Sequence, residues 1–205
     1  MHKLLTFILI STILLTATSC SDDNDVTRNI NPPTGTESVG KYYPLAVGNW
    51  WRYELTVNGE KNTYTSRILR KELVNGVDRF VFRLRDNDRD SLHFHYDGGN
   101  LIDLRKGIFL KDSLTVADKW IEEIVHDDNY SSTYTYTVTD FFDTFKVEKK
   151  IYYNVVLVKS ETRSLINDRL TEYYYLSYFA EGIGAIYEEA PESNAAAALK
   201  DFRVN

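Results

Sequence analysis

An antiparallel, all-β fold is what this sequence predicts, on three observations. Apolar and polar residues alternate with period two in one segment after another, turn-forming dipeptides stand between those segments, and no long stretch has helical periodicity. In the first alternating segment Phe80, Phe82 and Leu84 are interleaved with Arg79, Val81, Arg83 and Arg85. In the second, Leu92, Phe94 and Tyr96 are interleaved with Ser91, His93 and His95. Further on, Tyr134, Tyr136 and Val138 alternate with Thr133, Thr135, Thr137 and Thr139. Strands are also expected at about 151–162 and 169–180, with shorter ones near 184–189 and 199–204. Asn58-Gly59, Asn75-Gly76 and Asp97-Gly98-Gly99-Asn100 mark the turns. Residues 114–124 and the Ala195–Ala198 run are the two stretches that would suit a short helix.

One hairpin can be specified further. Setting Leu84 against Leu92 brings Phe82 to Phe94 and Phe80 to Tyr96 on one face, and Arg83 to His93 on the other, with Asp86–Asp90 as the loop. The sequence also repeats itself. Pro44–Trp51 aligns with Ser113–Trp120, matching Leu45 to Leu114, Val47 to Val116 and Trp51 to Trp120, as if two halves of a sheet open with the same unit.

The N-terminus carries a different message. Lys3 precedes a mainly apolar run from Leu4 to Leu15, then Thr16-Ala17-Thr18-Ser19-Cys20. Such a run is too short to cross a bilayer, which takes about 20 residues, and has the order of a secretion signal. The segment ending at Cys20 resembles the lipobox of bacterial lipoproteins, although Ala17 stands where that family prefers Leu and Ser19 where it prefers Gly or Ala. The resemblance implies cleavage before Cys20 and acylation of its thiol. Cys20 is the single cysteine, so no disulfide can form within the chain. Ser21-Asp22-Asp23-Asn24-Asp25 follows it, resembling the surface-export tag of Bacteroidota lipoproteins. The expected organisation is a signal over residues 1–19, a flexible tether over 20–40 rich in Asp, Asn, Thr, Pro and Gly, and one β domain over 41–205. Loss of Lys3 with the signal takes the net charge from −6 to −7, which argues against a nucleic-acid partner and against electrostatic binding to anionic membranes.

Two landmarks extend the resemblance into the domain. Tyr43-Pro44-Leu45-x-x-Gly48-Asn49-x-Trp51-x-Tyr53 resembles a pattern near the start of many Bacteroidota lipoproteins, and Tyr178–Ile186 resembles their apolar-Gly-Ile-Gly-apolar segment. The resemblance implies a sheet curled into an open or partial barrel, distantly like the carriers of the LolA/LolB type, and no particular activity. Gly182 and Gly184 fit a curled sheet, because glycine within a strand permits a bulge or a close backbone approach.

Chemical motifs are few. His93-x-His95 places two imidazoles on one strand face, but zinc needs a third ligand and the face carries Arg79, Arg83 and Arg85, so no metal is expected. Asp86-x-Asp88-x-Asp90 starts like a calcium loop and then departs from it, with Ser91 where Gly is wanted and Asp97 where Glu is wanted. There is no Gly-x-Ser-x-Gly elbow, His126 lies in a loop-like stretch, and Glu122-Glu123 and Glu188-Glu189 are neighbours that a strand points to opposite faces. No catalytic residue and no cofactor are therefore expected. What stands out is the aromatic load. The expected function is non-enzymatic binding or carriage of an apolar, amphipathic or glycan ligand on the concave face, walled by Trp50, Trp51, Trp120, Tyr173 and Tyr175. The alternative is an accessory subunit docking on another outer-membrane protein. Either would be held at the outer membrane by the lipid on Cys20, at the cell surface or the periplasmic face.

Overall fold

The structure, a computed structural model, describes residues 28–30, 40–85, 92–111, 113–127, 130–167 and 169–205. The signal segment, Cys20, most of the tether and the Asp86–Asp90 loop lie outside the described residues. Strand follows strand as the alternation requires: β1 (Arg28–Ile30), β2 (Trp50–Val57), β3 (Glu60–Val74), β4 (Val77–Arg83), β5 (Leu92–Asp97), β6 (Asn100–Asp103) and β7 (Gly107–Leu110). Then come β8 (Lys119–Asp127), β9 (Tyr130–Val147), β10 (Lys150–Ile166), β11 (Arg169–Ala180), β12 (Gly184–Ala190) and β13 (Ala195–Arg203). A single 3-10 turn at Pro191–Ser193 is the one helical element among the described residues.

Twelve of these strands form one antiparallel sheet in the order β7-β6-β5-β4-β3-β2-β13-β12-β11-β10-β9-β8. It curls into a nearly closed barrel. At the seam the two end strands meet without a backbone ladder: the Trp120 indole on β8 donates to the Ile108 carbonyl on β7 at 2.9 Å. Gly107 also lies so close to β8 that a β-carbon there would fall 2.2 Å from a Glu122 carboxylate oxygen. β1, inside the stretch read as a tether, runs parallel to Lys150–Tyr152 of β10, beyond the point where β11 stops pairing.

The sheet is two six-stranded meanders joined where β2 pairs with β13. The sequence repeat marks the start of each. Gly48 (φ +91°) and Ala117 (φ +73°) occupy the same left-handed turn position. Asn49 and Asp118 each donate back to the residue three before, at 3.1 and 3.0 Å. Ile68 then donates to the Asn49 carbonyl, and Val138 to the Asp118 carbonyl, both at 2.9 Å. Each unit delivers a tryptophan into the interior, Trp51 in β2 and Trp120 in β8.

Three expectations are corrected. In the β4–β5 hairpin Phe82 faces Leu92, Val81 faces His93 and Phe80 faces Phe94, a slip of two from the expected register that leaves Leu84 exposed beyond the strand. A two-residue slip preserves which face each side chain takes, so alternation alone does not select between the registers. Ala195–Ala198 is strand rather than helix, because β12 and β2 pair with it from both sides and that pairing overrides the alanine preference. Residues 119–124 of the other helix candidate, 114–124, belong to β8, entered through the turn of the second repeat unit.

One end of the barrel is plugged. Lys41–Leu45 crosses it, held by Gly182 N–H donating to the Lys41 carbonyl at 2.7 Å and by the Tyr96 hydroxyl donating to the Tyr43 carbonyl at 2.7 Å. The Tyr43 ring sits 5.6–6.3 Å from the rings of Trp51, Phe82, Phe94, Phe109 and Phe179. These come from opposite walls, so this half of the interior is packed core. The Gly-Ile-Gly segment belongs to it. Trp51 donates its indole N–H to the Ile183 carbonyl at 2.6 Å, and a β-carbon on Gly184 would crowd that indole at 3.2 Å.

Candidate functional site

Three concavities stand out among the described residues: the barrel mouth, a groove outside the barrel, and a polar trough of about 540 Å³ on the outer face between Lys119, Glu123, Thr135, Glu161, Arg163 and Glu172. The first is the unplugged mouth of the barrel. Alternation turns Tyr173, Tyr175 and Ser177 of β11, Tyr134 and Tyr136 of β9 and Glu188 of β12 towards the interior. Tyr173 and Tyr175 are 41% and 43% exposed, with their rings edge-on at 5.6 Å. Glu188 accepts from the Ser177 hydroxyl at 3.3 Å, and burial raises its carboxyl above the ordinary value. Lys106, reaching in from the β6–β7 turn, lies over the Tyr134 ring at 5.5 Å. Between Tyr64, Arg85, Tyr175 and Glu188 the mouth keeps a cavity of about 160 Å³.

The second concavity lies outside the barrel. β9 and β10 extend as an arm beyond the end of β11, and a bulge between Leu157 and Val158 bends it. Phe145 of the arm stacks on outward-facing Tyr178 at 4.4 Å, and Tyr178 meets Tyr187 at 5.6 Å. The arm tip is pinned to β13, whose bulge between Leu199 and Asp201 frees Lys200: its ammonium binds Glu148, and its carbonyl accepts from Lys150. Under the arm runs a groove of about 550 Å³. Phe145, Val147 and Tyr187 form its apolar walls, and Ala196 and Ala198 its floor. Glu54, held at 2.8 Å by Lys61 and at 3.3 Å by Lys200, closes one side, and these bonds keep its carboxyl below the usual range. The alanines matter here: larger side chains on this face of β13 would fill the space.

The five residues expected to wall a ligand site are not brought together. Tyr173 and Tyr175 share the mouth. Trp51 is fully buried beside Tyr43. Trp120 stacks on Tyr136 at 5.2 Å and staples the seam. Trp50 faces the other side of β2, with the Arg52 guanidinium 5.4 Å from its ring. Sequence reading missed Phe145 and Tyr187. The signal available was that Tyr178 and Phe179 load both faces of one strand, which requires a cover on the outer face as well. Among the described residues no three His, Cys, Asp or Glu side chains gather as a metal site. His126 stacks on Tyr130 at 3.9 Å.

Comparison with known proteins gives a likeness of shape. No protein-family model matches the chain, and neither does any curated protein. Among solved structures, the chain is similar to a "putative exported protein with YmcC-like fold" from Bacteroides fragilis NCTC 9343. The identity is 10%, the match covers 80% of this chain and 100% of that one, and the TM-score is 0.48. It is also similar to a "putative lipoprotein" from Parabacteroides distasonis ATCC 8503, at 9% identity over 80% of this chain and 99% of that one, with a TM-score of 0.48.

Proposed function

We propose that this protein is a non-enzymatic binding module of the bacterial envelope, anchored through lipid on Cys20, that holds an apolar or amphipathic ligand in the groove beneath the β9–β10 arm. An apolar lining at ligand-sized volume is the observation that carries this reading. The groove, at about 550 Å³, falls within the roughly 300–1,000 Å³ typical of small-molecule sites, whereas the mouth cavity of about 160 Å³ falls below it and the outer trough of about 540 Å³ is lined mainly by charged and threonine side chains. A carrier that swallows its ligand needs a hollow interior, and Tyr43 and its ring of aromatic neighbours occupy this one. The groove offers aromatic and aliphatic walls with a charged rim at Glu54, Lys61 and Glu148, a lining suited to a molecule with one apolar and one polar side.

A second reading, docking on another outer-membrane protein, draws support from the free end of the β10–β11 hairpin. Leu165, Ile166 and Leu170 are exposed there, and Val125 is exposed on β8. Native mass spectrometry of the full chain, produced in a bacterial envelope and released from a volatile detergent, separates the two. A retained mass of lipid or glycan size is the expected result. A bare chain that instead co-purifies with an outer-membrane protein, and loses it on Leu165→Asp and Leu170→Asp, would replace the binding reading with docking.

A further inference from the structure

The outer face of the β3–β4–β5 sheet carries an arrangement that neither the core nor the groove uses. Arg67 stands directly opposite Arg83, Arg70 opposite Val81, and Glu72 opposite Arg79. On the other side Val81 faces His93, and the same register sets His95 beside Arg79. Arg70, Arg79, Arg83 and two imidazoles thus lie around Glu72, which is already bonded to Arg70 Nε at 2.6 Å. Val81, at the centre, points away from the barrel interior and is nevertheless 0% exposed, because neighbouring side chains lie over it. The Nε of Arg79, the Nε of Arg83 and Nδ1 of His95 are shielded from solvent and have no hydrogen-bond partner among the described residues.

That is a costly way to build a surface. Cations crowded on one sheet face repel, and a shielded donor without a partner forfeits its hydration. In a chain of net charge −6 the concentration of cations is local and is not a consequence of composition. A compact dianion would relieve both costs, since guanidinium forks match tetrahedral oxyanions in geometry as well as charge. We propose that this face is a binding site for a phosphate monoester, with Arg79, Arg83 and His95 as the principal donors. The phosphate could be free or carried on a lipid, two sources that share the same chemistry. This site is separate from the groove and does not depend on it.

Isothermal titration of the full chain in nonionic detergent with inorganic phosphate, against chloride at equal ionic strength, tests the proposal. Saturable phosphate binding is expected, weakened about tenfold by Arg83→Gln and partly restored by Arg83→Lys, with Lys159→Gln on β10 as the control that leaves it unchanged. Arg79→Gln provides a second variant should Arg83→Gln misfold. Titration with short-chain phosphatidate alongside short-chain phosphatidylcholine assigns the source: binding of phosphatidate as well as phosphate supports a lipid-borne monoester, and binding of phosphate alone supports a soluble one. Equal heats from chloride, or an unchanged response in both arginine variants, would overturn the proposal. So would a response seen only after Asp86, Asp88 and Asp90 are changed to Asn, which would assign the patch to the chain's own acidic loop.

Discussion

The two halves of the barrel open with the same unit and then diverge. Both begin with a left-handed turn residue, a backbone clasp onto the neighbouring strand and an inward tryptophan. Trp51 then lies between two ladders, β13 on one side and β3 on the other, and is sealed by the Tyr43 plug. Trp120 has a ladder with β9 on one side only; on the other it bridges a seam through its own indole. In the first half the second strand of the long hairpin, β4, is 7 residues long, whereas its counterpart β10 runs for 17 and carries the arm. The repeat builds the frame, and the departures from it build the groove.

This contrast sets an order of effects. Trp51→Ala should be the most damaging change, at about 3–5 kcal/mol, because a rigid, plugged core cannot collapse around the void. Trp120→Ala at the seam should fall at or below the low end of that range, about 3 kcal/mol, because β7 and β8 are free to close up. Urea midpoints measured side by side decide this, and equal losses would mean the seam is as firm as the ladder. Next come the turns. Gly48→Ala should cost about 1 kcal/mol through backbone strain, since a β-carbon there meets nothing closer than Asn205 Nδ2 at 3.4 Å. Ala117→Gly should gain about 0.5–1 kcal/mol by relieving the same strain in the second unit. Equivalent turns demand opposite signs, and a loss from Ala117→Gly would break the equivalence.

The smallest expected effect is pH-dependent and belongs to the mouth. Burial raises the Glu188 carboxyl above 4.5, so the folded chain keeps a proton that the unfolded chain has released. Its contribution to stability is therefore present in acid and lost as pH rises through the raised folded value. Glu188→Gln should accordingly raise the melting temperature at neutral pH and leave it unchanged in acid. A larger gain in acid than at neutral pH would contradict the sign.

Much of the frame was legible because each strand has one wet face. Tyr134, Tyr136 and Val138 read correctly as one side of a strand, and the Trp51–Trp120 match read correctly as two equivalent starts. Physical degeneracy hid the rest. An even slip in the β4–β5 hairpin conserves every face, so alternation does not distinguish Phe82 opposite Phe94 from Phe82 opposite Leu92. The closure of β13 on β2 joins residues such as Phe202 and Trp51, which no local pattern links. The groove was invisible for the same reason. Its floor is an alanine run whose local preference is helical, and its wall is an arm that finds Tyr178 only after the sheet has curled. Trp50 and Trp51 looked alike as candidate ligand walls until the pleat put them on opposite faces.

The central claim is that the ligand sits under the arm and not in the mouth. Native mass spectrometry of three full-length chains tests it most directly: wild type, Ala198→Trp, which fills the groove floor, and the double variant Tyr173→Ala with Tyr175→Ala, which strips the mouth. The account predicts a retained ligand mass in the wild type and the double tyrosine variant, and its loss in Ala198→Trp with the fold preserved by circular dichroism. Retention in Ala198→Trp together with loss in the tyrosine variant would contradict it and move the site to the mouth.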